Sequence, residues 1–139
     1  MEVTTLVLNF LVAIQGVESD HGKKLNHPII TNPKSIHFGD SAIGRFGLMP
    51  NTILEMKGDV ERFKIDKNYK FKLSKKYALK VLKVAKGCPL DASILWLRGP
   101  AARILPDDYK TPRYTKFVKE WERFFGPINR DKLILRYCK

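Results

Sequence analysis

The chain has 139 residues, 44% of them hydrophobic and 29% charged, which fits one folded domain around one core and excludes a disordered chain. Its formal net charge of +12 favours an anionic partner, whether nucleic acid, an acidic membrane or an anionic cell wall. No apolar run reaches the ~20 residues of a membrane span.

Residues 6–14 are the most apolar stretch, but Asn9 interrupts them and no Lys or Arg precedes them, which is wrong for an export signal. They read as a buried helix. Thr4 and Thr5 are its candidate N-caps, and Leu6, Phe10, Ile14 and Val17 follow helical spacing towards Ser19, with Gly22 as the stop. Residues 23–49 are rich in Gly, Pro, Asn, His and Asp and read as loop, with room for one short hairpin. A second helix is expected over 51–63, weakened by Gly58. Ser74 is the expected cap of a third helix over 74–86, closed by Gly87. A fourth covers 90–97 and ends at Gly99-Pro100. Thr111 and Pro112 open a fifth, which runs to Phe125. The tail, 132–137, reads as a short extended segment. The expectation is one mainly α domain over 1–139, with at most a small β-hairpin. Cys88 and Cys138 allow one internal pair; a bridge would suit an envelope or secreted setting and two thiols the cytosol, and their spacing does not decide.

Glu18 stands at the end of the apolar first helix, in Gln15-Gly16-Val17-Glu18-Ser19. An acid there opposes the helix dipole, so it is not placed for stability. Desolvation by its apolar neighbours would disfavour the charged form and suit it to general-acid work. A Gly-rich segment, Gly44-Arg45-Phe46-Gly47-Leu48-Met49-Pro50, leads into the next helix; its glycines allow close approach of a ligand, and Phe46, Leu48 and Met49 offer an apolar platform. His21, His27 and His37 match no compact metal-ligand spacing, and no Gly-rich phosphate loop is present, so neither metal nor cofactor is expected.

These segments resemble the soluble lytic transglycosylases and goose-type lysozymes. Glu18-Ser19 resembles the family's Glu-Ser signature. Residues 44–52 are similar to its Gly-Leu-Met-Gln-x-Met-Pro-x-Thr segment, Trp96-Leu97-Arg98-Gly99-Pro100 to its Tyr-Asn-Ala-Gly-Pro turn, and Thr111-Pro112-Arg113-Tyr114 to its Glu-Thr-x-x-Tyr segment. The four follow in the family's order. Two departures stand out: Gly47 occupies the place of the family's Gln (Pro50 does so in the goose-type register), and Leu97 the place of its Asn.

The resemblance implies a lysozyme-like domain with a cleft between the first helix and segment 40–52, and peptidoglycan glycan strands as substrate. Glu18 would be the catalytic acid that breaks the β-1,4 bond between N-acetylmuramic acid and N-acetylglucosamine, with the substrate's acetamido group assisting and a 1,6-anhydro product. Ser19, Asp40, Arg45, Phe46, Leu48, Met49, Trp96, Arg98 and Tyr114 are the implied substrate contacts. Asp20 and Asp40 are the acids placed to activate water if the outcome is hydrolysis instead. A catalytically impaired wall binder is the third reading. A nucleic-acid-binding domain is the least favoured, because Lys75, Lys76, Lys80, Lys83 and Lys86 spread around one helix without a stacking motif and no nucleic acid is expected. The expected setting is the bacterial cell envelope or a phage, and the expected state a monomer.

Overall fold

The computed structural model describes residues 3–139, so the first two residues lie outside it. Helix α1, Val3–Ser19, forms because Leu6, Phe10, Leu11 and Ile14 recur on one face and are all buried. It packs chiefly against α6, Pro112–Phe125, and α4, Lys67–Val84. Phe10 is fully buried, its ring 5.7 Å from both Trp96 and Phe117. These aromatic contacts tie α1 to α6 and to α5, Pro89–Arg98. Trp121 closes the core beside Phe117 and donates its indole N–H to Asp131 at 2.6 Å. Gly16 lets α6 come close: a Cβ there would collide with the Glu120 carboxylate, which instead accepts from His21 Nε2 at 2.9 Å.

Among the described residues there are seven α-helices and no β-strand, so the mainly α expectation holds. The hairpin reduces to one antiparallel bridge, Ile43 with Leu48. Three boundaries are corrected. The helix expected over 51–63 is two short ones, α2 at Pro50–Glu55 and α3 at Val60–Ile65. Lys57 takes φ +60 between them, and Asp59 caps the second by accepting from the Arg62 N–H at 3.1 Å. The long helix starts at Lys67, not at Ser74, because Asp66 supplies the cap, accepting from the Tyr69 N–H at 3.1 Å. Ser74 is fully buried inside α4, its hydroxyl without a partner. The tail is not extended but helical, α7 at Lys132–Tyr137, with Asp131 accepting from the Leu133 N–H at 2.8 Å.

Cys88 and Cys138 form a disulfide, which joins the start of α5 to the chain's end. No described helix is long and apolar enough to cross a membrane.

Candidate functional site

A groove with about 1840 Å³ of open space runs across the end of α1. Val17 and Glu18 form one wall, and Gly47, Leu48, Met49 and Thr52 face them. Tyr77 and Trp96 line it from α4 and α5, and Arg113 from the first turn of α6.

Glu18 is the most constrained group in it. Its side chain is 8% exposed, and Oε1 meets Nη2 of Arg113 in an ion pair. The other oxygen fills the space that Gly47 leaves: a Cβ on Gly47 would fall 2.6 Å from Oε2. Gly47 also has φ +66, in the region where a side chain is strained. The lone desolvated acid expected from sequence is thus half of a charge pair. Glu18 lies near the negative end of α1 and Arg113 near the positive end of α6, so each opposes its own helix dipole and compensates the other. Burial pulls the Arg113 guanidinium down to about 10, which leaves it fully charged at neutral pH.

The groove gathers five of the ten expected site residues: Glu18, Leu48, Met49, Trp96 and Arg98. Leu48 and Trp96 are largely buried in its floor. Trp96 donates its N–H to the Phe46 carbonyl at 3.0 Å, and Tyr77 donates its hydroxyl to the Trp96 carbonyl at 3.4 Å. Burial, with Glu55 nearby, pushes the Tyr77 hydroxyl up to about 12. Arg98 reaches the groove with its guanidinium already taken by the Arg103 carbonyl at 3.0 Å and Asp108 at 2.6 Å.

The other five are turned elsewhere. Ser19 is 1% exposed and closes its helix, donating to the Gln15 carbonyl at 3.2 Å and accepting from the Gly22 N–H at 2.9 Å. The Asp40 carbonyl accepts from the Ile30 N–H at 2.8 Å, pinning the loop, and its side chain does not line the groove. Arg45 bonds the His21 carbonyl at 2.8 Å on the far side of the 43–48 turn, and Phe46 is buried beneath it. Tyr114 lines a smaller neighbouring pocket beside Val17 and Thr111, its ring 5.3 Å from Tyr109. Burial raises its hydroxyl as well. Arg113, its neighbour in sequence, borders both spaces.

No family model, no curated protein and no solved structure matches this chain.

Arg113 and Glu55 in the groove were not singled out from sequence, and His37 stands out in it only as a candidate metal ligand. Arg113 could have been found by the signal that flagged Glu18, a charge at the wrong end of its helix. Glu55, exposed at the end of α2, brings a second carboxylate to the groove, where Asp20 and Asp40 had been expected to serve. His37 also lines the groove, its Nδ1 buried without a partner. Of the other histidines, His27 donates from Nε2 to the Gly44 carbonyl at 2.8 Å and so fastens the glycine turn. Among the described residues, no three His, Cys, Asp or Glu side chains gather as a metal site.

Proposed function

We propose that the groove holds a peptidoglycan glycan strand and that Glu18 cleaves its β-1,4 bond between N-acetylmuramic acid and N-acetylglucosamine, as in the lytic transglycosylases that the sequence resembles. The observation that carries the reading is the placement of Glu18: a nearly buried carboxylate at a groove wall, with a glycine opposite that makes room for its second oxygen.

Arg113 gives the cycle a trigger. In the resting protein its guanidinium favours the ionised form of Glu18. A carboxylate of the stem peptide, which the muramic acid carries in amide linkage on its lactyl group, is a competing partner for that guanidinium. Once it takes Arg113, Glu18 is left in a desolvated wall without a counter-charge, where the protonated form is favoured; it takes up a proton from solvent and can then donate it to the glycosidic oxygen. The substrate's acetamido group then supports the positive centre. Glu18 next accepts the proton of the muramic 6-hydroxyl, which closes the anhydro ring. The basic surface assists encounter with an anionic wall. On this reading the protein would act at a bacterial envelope or with a phage that attacks one.

A hydrolytic outcome is the second reading, favoured by Glu55, a second carboxylate in the same groove that could activate water. Muropeptide analysis of purified wall after digestion separates the readings. Anhydro-muropeptides are the expected product. Reducing-end products would mean hydrolysis, and no release from any wall would mean that the groove binds without cleaving.

A further inference from the structure

Behind the 43–48 turn, on the side away from Glu18, lies a second cavity of about 1050 Å³ between α1, the turn and the start of α4. Its rim carries Arg45, Lys67 and Lys70, and no acidic residue lines it. None of the three has an ion-pair partner among the described residues. Asp66, beside Lys67, is already engaged by Arg62 at 3.4 Å and by the Tyr69 N–H. Three like charges around one cavity repel each other, and nothing on the protein side offsets this.

Two of the three cations are also held in place. Arg45 donates to the His21 carbonyl at 2.8 Å, and its guanidinium lies across Gly22, where a Cβ would stand 2.8 Å from Cζ. The stem of Lys70 lies over Gly44, with Cδ 3.5 Å and Cε 3.8 Å from where that residue's Cβ would be. Phe46 and Phe71, their ring centroids 6.3 Å apart, supply an apolar wall.

We propose that Arg45, Lys67 and Lys70 form a binding pocket for a phosphate group carried on an apolar body. Three cations match a dianion better than a single carboxylate, and the arginine fork suits phosphate oxygens. The aromatic wall takes the ester's body. The site stands on the pocket's own charges and does not depend on what the groove does. It shares one wall with the groove, however: Gly44, Arg45 and Phe46 face the pocket, while Gly47 and Leu48 face Glu18.

The test is titration of the intact protein with inorganic phosphate and with phenyl phosphate, read through the backbone amide signals of residues 44–46 and 67–71. Co-sedimentation with phosphatidylglycerol vesicles separates a lipid headgroup from a soluble ester as the source. Phenyl phosphate should bind several-fold more tightly than inorganic phosphate. Lys67→Gln with Lys70→Gln should weaken binding about ten-fold or more, the scale of a lost charge-assisted contact. Lys116→Gln with Lys119→Gln removes the same charge from the exposed side of α6 and should leave the affinity nearly unchanged. Binding to vesicles alone, lost in the Lys67/Lys70 variant, would keep the site and name the headgroup as its ligand. Weakening by both variants alike, or no binding of any probe, would overturn the proposal.

Discussion

The Cβ that Gly47 lacks would fall 2.6 Å from Oε2 of Glu18, and 3.1 Å from its Cδ. A methyl group there must push the carboxylate or move the turn, and φ +66 adds backbone strain of about 1–2 kcal/mol. Gly47→Ala should therefore lower stability by about 1–3 kcal/mol and displace Glu18 from its pairing with Arg113. Wall-digestion rate beside a melting curve checks this. Digestion at the parent rate would mean that the position of Glu18 does not matter.

Glu18→Gln keeps the side chain's shape but cannot donate and recover a proton. Digestion of purified peptidoglycan should fall by about 10²–10⁴-fold, the usual worth of general acid-base catalysis. Removal of a desolvated carboxylate would by itself relieve a cost and leave folding unharmed. The Arg113 pair changes that: the substitution strands a partly buried guanidinium, so stability should drop by about 1–3 kcal/mol. An unchanged melting curve would argue that the pair contributes nothing.

Arg113→Gln separates the trigger from the acid. Without the guanidinium, Glu18 should hold its proton to higher pH, so the alkaline limb of the rate profile, where the general acid is lost, should move up. KM should rise too, because the substrate carboxylate loses its partner. The measurement is initial rate against pH on soluble glycan fragments. A profile of unchanged shape would remove Arg113 from the cycle.

Tyr77 makes alkaline stability a readout of the groove floor. Its hydroxyl is raised to about 12 by burial, above the ordinary value of 10.0. The neutral form is thus favoured in the fold, and the unfolded chain releases this proton first as pH rises. The contribution is fully present below pH 10 and is lost between about pH 10 and 12, amounting to roughly 2–3 kcal/mol. Tyr77→Phe should flatten this part of the stability curve, as read by urea unfolding at pH 9 and pH 11. Equal losses in both proteins would assign the effect to other tyrosines, Tyr109 among them, which is also raised to about 12 but half exposed.

What sequence disclosed depended on whether the signal was local. Thr111 with Pro112 marked the start of α6 correctly, because the cap and the fixed φ of proline act within one turn. Ser74 misled for the same reason: it has cap chemistry, but Asp66 does that work one helical stretch earlier, and packing buries the serine. Asp131 was an equally local cap for α7, yet the tail reads as extended, because a six-residue stretch with three apolar residues in a row shows no helical period. The site divided likewise. Glu18, Leu48 and Met49 belong to consecutive segments joined by one loop. Arg113 joins them only through the packing of α6 on α1, and Ser19 and Arg45 were drawn away by backbone carbonyls that no sequence spacing reveals.

The packing of α1 on α6 brings the two ends of the chain together. Glu18 and Arg113 stand far apart along the sequence. Closing so long a loop is opposed by chain entropy until Phe10 can dock on Phe117. A fragment that stops short of α6 therefore carries the acid without its counter-ion and without the helix that buries its own. The groove thus has no working precursor before α6 docks, and acid and counter-ion meet only in the packed fold.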